Sequence, residues 1–389
     1  MADCLKPYAG LLFVCLEQAV AAPLASCHFA QGGARVIKIE REDGDFARRY
    51  DLAAKGSSSY FVWANHGKES LCLDIKDRAD ATLLHTLLDE ADVFIQNLAP
   101  GAVERAGFGS DVLRQRNSRL ITCGLSGYGD DGSFRDMKAY DFLVQCESGL
   151  VAINGAPGHP GRIGVSVCDI GAGLNAIIGI QQALIARERT GIGSDVAVSL
   201  FDTAADWMTV PLLHSDYGAG APQPAGLQHP SIAPYGGFKT CDDETLAISI
   251  QNEREWKNFC EQVLNNPNLC TDTRFSTASV RVANRDQLDA IIASFFSIRS
   301  RAELEAVLKK AAIAFGAVNS VDRFSKHPQL RRTTATLENG DEVALVASPI
   351  PHSFQPIDMR FGRVPRLGEH SDKIRLEFEK RRKLSRALQ

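Results

Sequence analysis

Short apolar runs alternate with stretches of helical spacing along the first third of the chain. Leu11-Leu12-Phe13-Val14-Cys15-Leu16 reads as a buried strand, and Pro23 to Gln31 carries helix-compatible Leu, Ala and Phe until Gly32-Gly33 stops it. Val36 to Glu40 supplies the next strand, so the unit is βαβ, which requires a parallel sheet and a right-handed crossover. The pattern recurs as a helix over Asp77 to Glu90, a strand at Val93 to Ile95, a helix over Ser110 to Arg116 and a strand at Leu120 to Cys123. The predicted fold class is therefore α/β, with a Rossmann-like, doubly wound large domain.

Further along, Ile170 to Arg189 run apolar and free of Pro as one long helix, with Asp169 at its N-terminal edge, and Val196 to Phe201 reads as a strand. A Gly/Pro/Ala-rich passage from Gly218 to Pro234 breaks the periodicity and leads into a second unit. That unit holds a strand at Thr245 to Ile250 and helices over Glu253 to Val263, Asp286 to Phe296 and Arg301 to Lys310. Beyond Val321 come a strand at Val343 to Val346 and a charged terminal helix. With 389 residues, two domains or one elaborated domain is expected.

Apolar residues at 44% and charged residues at 23% are the balance of a globular protein, and a net charge of -4 without a basic stripe argues against nucleic acid as a partner. The ten cysteines form no Cys-x-x-Cys pair and no zinc-finger spacing, and several sit inside apolar runs, so reduced buried thiols and a reducing compartment are expected. Residues 1–9 resemble neither a signal peptide nor a transit peptide. No apolar stretch is expected to reach the roughly 18 residues of a membrane span. The expectation is a soluble, cytoplasmic protein with no membrane partner.

Gly127 to Gly132 fits a dinucleotide fingerprint in letters only: Asp130 and Asp131 would repel a pyrophosphate, and no apolar helix follows, so a tight turn is expected. Gly124-Leu125-Ser126-Gly127-Tyr128 misses the nucleophile elbow at its last position. No His-x-x-x-His pair offers zinc its ligands. Asp169 has two readings. It is a helix N-cap, or it is a nucleophile whose ionised form the helix terminus favours, beside N–H groups that could hold an oxyanion and Gly171-Ala172-Gly173 small enough to let a thioester approach. Arg41 and the Asn97-Leu98-Ala99-Pro100-Gly101 segment follow strands at the ends where α/β folds bind ligands, though a solvated charge and a plain turn explain them equally.

In combination, segments spread over nearly the whole chain resemble the class III coenzyme A transferases, the family of formyl-CoA transferase and carnitine CoA-transferase. They are residues 18–23, Gly33 to Arg41, Gly44-Asp45, Lys68 to Lys76, Asp92 to Gly101, Ser126 to Gly129, Tyr140-Asp141, Asp169 with Gly173, Arg187 to Gly193 and Leu367 to His370. The resemblance implies that Asp169 is the catalytic aspartate. It implies coenzyme A contacts at Gln18, Ala19, Val20, Ala21, Arg41, Leu73, Lys76, Asn97, Leu98, Arg105 and Lys138. Tyr60 and Tyr140 would flank the acyl pocket with Tyr50 as an aromatic gate, and Gly236 and Gly237 belong to a shortened glycine loop. Coenzyme A enters as the acyl-CoA substrate, and no metal or redox cofactor is implied.

The implied assembly is an interlocked, ring-like homodimer. Its large domain comprises 1–224 with a C-terminal return over 326–389, and a small α+β domain spans 225–325. Residues 18–23, 44–51, 59–63 and 250–256 are similar to the branch acting on short dicarboxylates such as mesaconate, itaconate or succinate, and Arg48 and Arg49, near Tyr50, could pair with the second carboxylate, or be a solvated basic turn. Two alternatives stay open: an acyl-CoA racemase or isomerase of the same superfamily, and a non-catalytic CoA-binding paralogue. The racemase's proton-transferring His is Tyr140 here, and tyrosine, with an ordinary pKa of about 10, suits that role poorly.

Overall fold

The computed structural model describes residues 6–218, 220–351 and 360–387, so Cys4 lies outside the described residues. The chain divides into two units: residues 1–150, 163–210 and 331–389 form the first, and residues 151–162 and 211–330 the second. The stretch 225–325 expected as the small domain falls inside the second unit, which starts earlier and takes an additional excursion at 151–162.

The first unit is built on six parallel strands: β1 (Leu12–Leu16), β2 (Arg35–Glu40), β3 (Glu69–Cys72), β4 (Val93–Gln96), β5 (Ile121–Ser126) and β8 (Asp195–Ser199), in the order β3-β2-β1-β4-β5-β8. β6 (Gly155–Ala156) and β7 (His159–Pro160) form a two-residue ladder in the second unit. The helices of the first unit begin with α1 (Ala21–Gln31), α2 (Ser59–Asn65), α3 (Arg78–Glu90), α4 (Ala102–Arg105), α5 (Ser110–Arg116) and α6 (Asp141–Glu147). After the short α7 (Leu150–Ile153) come α8 (Val167–Thr190) and α9 (Leu200–Trp207). Helices cover both faces of a parallel sheet, which is why Phe13, Val14 and Cys15 are all fully buried and the strands read as unbroken apolar runs. The C-terminal helix (Ser371–Ala387) returns to this unit and sets Ile374 and Phe378 among Leu83, Leu84, Leu87 and Leu88 of α3.

Two expected boundaries move for local reasons. The strand expected at Val196 to Phe201 stops at Ser199, whose hydroxyl accepts the Asp202 N–H and starts α9, a helix the apolar pattern did not announce. The long helix begins at Val167, two residues before Asp169, and ends where Gly191 takes the left-handed conformation of a helix C-cap (φ 74°). At 24 residues α8 is also apolar and long enough to cross a membrane by length and composition, contrary to the expectation that no stretch reaches that length. In this fold Cys168, Ala172, Ala176, Ile180 and Ala183 are buried on its inner face, where α8 packs on α1, α9, β5 and β8.

In the second unit, β9 (Tyr235–Lys239), β10 (Thr245–Ser249) and β11 (Ala314–Ala317) form an antiparallel sheet, packed by Phe238, Leu246 and Ile248 against Phe259, Leu288, Ile292, Phe296 and Leu304. Gly236 and Gly237 were expected in a loop. They are ladder residues of β9, opposite Ile248 and Ala247, and they are small because the Gln228 and Leu227 side chains lie where a Cβ would project.

Under the carboxyl edge of the first unit's sheet the core is ionic. The Lys38 ammonium, fully buried in β2, donates to Asp45 Oδ2 at 2.9 Å and to the Glu17 carbonyl at 3.2 Å. Lys68 donates to Glu17 Oε1 at 2.6 Å, to Asn65 Oδ1 at 3.0 Å and to the Pro23 carbonyl at 2.9 Å. Burial alone would lower the Lys38 pKa, but Asp45, Glu17 and Glu40 outweigh it and hold the ammonium above the ordinary lysine value. Replacing Lys38 by Met leaves Asp45 buried without its counter-ion, so Lys38→Met is expected to cost about 3–5 kcal/mol. Urea unfolding of the two proteins side by side checks this, and an unchanged midpoint would contradict it.

Candidate active site

The carboxyl ends of β1 to β4 open onto one cleft of about 1140 Å³. It sits where the strand order reverses, because the chain passes from β1 to β2 on one side while β4 borders β1 on the other. That is the crevice in which open α/β sheets take their ligands. Gln18, Arg41, Leu73, Lys76, Leu98 and Arg105, six of the residues expected to hold the nucleotide, line this cleft.

The neighbouring expected residues build its floor. Asn97 Oδ1 accepts the Gln18 N–H at 2.9 Å and its amide donates to the Gln18 carbonyl at 2.8 Å, fastening the turn after β1 to the turn after β4. Ala19 holds φ 65°, a conformation rare for a residue with a Cβ, and its N–H donates to Asp45 Oδ1 at 3.1 Å. Val20 and Ala21 are buried at the entry to α1. Lys138 is exposed on the connection between β5 and α6 and is not among the cleft-lining residues.

The cleft's acids and bases differ in availability. Glu17, Glu40 and Asp45 line it, yet their charges are met from below by Lys68, Arg48 and Lys38. At the lip, the Arg41 guanidinium pairs among the described residues with Asp43 alone, at 3.4 Å with both side chains largely exposed, and such a pair is worth about 0–1 kcal/mol. An incoming anion can therefore displace Asp43 at little cost. Arg48 is a correction. Expected as a partner for a substrate carboxylate, its guanidinium donates to both Glu40 oxygens at 2.8 Å, to Glu338 at 2.6 Å and to the Pro365 carbonyl at 3.2 Å, and it stacks on Phe61 at 3.8 Å. Burial would raise the Glu40 carboxyl, but Arg48 and Lys38 hold it down at about 2. Arg48 is a structural brace.

Asp169 stands in the first turn of α8, three residues after the N-cap Ser166, so it is not the cap. No hydrogen bond reaches its carboxylate from the described residues. Burial, and after it the nearby Asp141 carboxylate, push the Asp169 carboxyl up to about 7. The Tyr50 phenol is raised to about 12 by burial and then by Asp45, Asp169, Tyr140 and Tyr60, so the three expected tyrosines and Asp169 share one locus. Tyr50 and Tyr60 meet edge to face at 5.4 Å, while Tyr140 is exposed at the N-cap of α6.

The small residues after Asp169 serve packing rather than approach of a ligand. A Cβ on Gly171 would fall 2.3 Å from the Trp207 ring, and one on Gly173 2.8 Å from the Ala21 carbonyl, so they let α9 and α1 close on α8. The Gly127 to Gly132 segment is a turn, as expected: Ser126 Oγ accepts the Gly129 N–H at 3.0 Å, and no helix begins until Asp141. The sequence reading missed Asp45, Lys38, Glu17 and Lys68 as builders of the site. A lone Lys inside Val36-Ile37-Lys38-Ile39 and a Glu directly after an apolar strand were the available signals.

A family model described as CoA-transferase family III matches residues 8–371. Over 375 residues the chain is 33% identical to an acetyl-CoA:oxalate CoA-transferase of Acetobacter aceti, covering 96% of each chain. It is 30% identical over 387 residues to a succinate–glutarate CoA-transferase of Agrobacterium fabrum, again covering 96% of each. The crystal structure of a CAIB/BAIF family protein from Brucella suis superposes with a TM-score of 0.81 at 31% identity, covering 96% of this chain and 99% of that one.

A carboxyl raised to about 7 holds its proton more tightly in the folded state than in the unfolded one. Folding stability therefore declines as pH rises from about 4 to about 7, and the penalty is complete above that. Asp169→Asn removes the titration. Relative to the native protein, the variant is expected to gain thermal stability, and to gain more at pH 8 than at pH 5. Melting both proteins at the two pH values checks this; an equal offset at both would contradict the raised carboxyl.

Proposed function

The chain belongs to CoA-transferase family III and is a CoA-transferase, and we propose that it moves coenzyme A from an acyl-CoA to a four- or five-carbon dicarboxylate such as mesaconate, itaconate or succinate, through a covalent intermediate on Asp169. The observation that carries this reading is the Asp169 carboxylate itself, unbonded among the described residues in the turn that the family resemblance assigns to the catalytic aspartate. Relatives named for oxalate, succinate and glutarate support a small dicarboxylate.

In the mechanism, the ionised Asp169 attacks the thioester carbonyl, the C–S bond breaks, and coenzyme A leaves as thiolate from a mixed anhydride. The thiolate attacks the aspartyl carbonyl, releasing the donor acid and forming an aspartyl thioester. The acceptor carboxylate attacks that thioester, and the thiolate returns to the acceptor's acyl carbon, restoring Asp169. One difficult exchange becomes several easier ones. The cleft holds the nucleotide end through Arg41, Lys76 and Arg105, and the tyrosine locus receives the acyl end.

The same reading makes the chain half of an interlocked homodimer. Leu174, Ile178 and Ile185 stand exposed along α8, an apolar stripe that a second copy would cover. Free, mostly buried cysteines suit a reducing compartment such as the cytoplasm.

Hydroxylamine added with an acyl-CoA donor is expected to trap the acylated Asp169 as a hydroxamate and inactivate the enzyme, and the acceptor acid to protect it. Mass spectrometry of the peptide spanning residues 164–187 checks this, and an unmodified Asp169 in protein shown to be turning over would sink the mechanism. Arg41→Ala is expected to weaken acyl-CoA binding by about 1.5–3 kcal/mol with kcat little changed, because the arginine would hold a remote part of the substrate. An unaltered KM for the donor would remove Arg41 from the site.

A further inference from the structure

The segment leading into Asp169 is held from a neighbouring helix. Asp141, the first residue of α6, is buried and divides its carboxylate: Oδ1 accepts the Cys168 backbone N–H at 2.8 Å, and Oδ2 accepts the Gln145 amide at 2.8 Å. Gln145, one turn further and fully buried, accepts the Ile163 N–H at 2.9 Å through Oε1 while its Nε2 also reaches the Ile163 carbonyl at 3.4 Å. Ser166, the N-cap of α8, makes no capping bond of its own with its side chain. An orphan N–H of the first turn is thus satisfied by α6 rather than locally.

We infer that Asp141 is a positioning residue for transfer: with Gln145 it fixes residues 163–168 and so aims the adjacent Asp169 carboxylate, and its own negative charge acts on the group it aims. This rests on Asp169 being the nucleophile. A brace alone would need no charge. A neutral side chain at 141 could cap Cys168, whereas an anion beside a second carboxylate disfavours the ionised form of that neighbour. Among the described residues, the titratable groups around Asp169 are Asp141 from α6, the phenols of Tyr50, Tyr60 and Tyr140, and the Cys168 thiol beside it, itself raised to about 12 by burial and then by Asp141 and Asp169. Where α1 and α9 close on α8 just beyond Asp169, they bring Ala21 and Leu24 to Gly173 and Thr203 and Trp207 to Gly171, none of them charged. Asp141 is the charge that acts on Asp169.

Two variants separate aim from charge. Asp141→Asn keeps an oxygen for the Cys168 N–H and removes the charge; Gln145→Met keeps the Asp141 charge and removes the link to Ile163. Both are expected to lower kcat by roughly 10- to 100-fold through misplacement, with the KM for the acyl-CoA donor little changed. Only Asp141→Asn is expected to move the acid limb of the kcat–pH profile to lower pH. If Asp141→Asn does not fold, the loss of kcat at constant KM in Gln145→Met carries the test. A kcat within twofold of native in Gln145→Met, or an acid limb of folded Asp141→Asn superimposed on the native one, overturns the inference. Hydroxylamine trapping of the native enzyme, run in parallel, distinguishes the two levels: no adduct on Asp169 during turnover removes the nucleophile and the inference with it, while an adduct together with unchanged variants removes the inference alone.

Discussion

The buried charges beneath the sheet, Glu17, Lys38, Lys68 and Asp45, set the shape of the cleft above them. Burying an ion costs several kcal/mol unless it is paired and hydrogen-bonded, and here each partner lies within hydrogen-bond distance of the next. Apolar residues of equal volume could fill such a space without loss of stability, so the reason to keep ions there is geometric. Asp45 shows what the geometry does: one oxygen holds Lys38 and the other holds the N–H groups of Ala19 and Ala47. Ala19 in a left-handed conformation is strained by roughly 1–3 kcal/mol, and it persists because Asp45 from one side and Asn97, through Gln18, from the other leave the turn no alternative. The network lives at the packing level, and its consequence is a fixed cleft floor.

What was legible in the sequence follows from what acts locally. β1, β2 and β4 announced themselves because strands covered on both faces must be apolar throughout, and α3 because Asp77 caps it at the N–H groups of Ala79 and Asp80. Asp169 was legible through its helix edge and through the family resemblance. β3 was hidden: Glu69-Ser70-Leu71-Cys72 has no strong pattern, and it is a strand because the exposed edge of β2 pairs with it, Ile37 opposite Glu69. Arg48 was misread for a similar reason. Its partner Glu40 lies eight residues away, but Glu338 lies 290 residues away, and no local rule connects them.

The second unit was found in outline, but its start and its excursion at 151–162 depend on where the backbone folds back rather than on composition. Gly236 and Gly237 illustrate the limit: the family resemblance assigns these two glycines after Pro234 to a loop, whereas the close approach of Gln228 and Leu227 makes glycine the residue that fits inside a strand. The same letter serves conformational freedom in one place and lack of bulk in another, and only the neighbours decide which.

Asp169 is subject to opposing influences, and the balance bears on its chemistry. The N-terminus of a helix favours an anion by about 0.3–1 kcal/mol, while burial and the Asp141 carboxylate disfavour it and prevail, raising the carboxyl to about 7. A carboxylate held as an ordinary surface anion would be fully ionised but well solvated, and would have to shed that solvation before attacking a thioester. One buried without relief would stay protonated and could not attack at all. At about 7 a substantial fraction is ionised near neutral pH, and that fraction is more basic than an ordinary carboxylate, which suits the nucleophile proposed here for a neutral carbonyl.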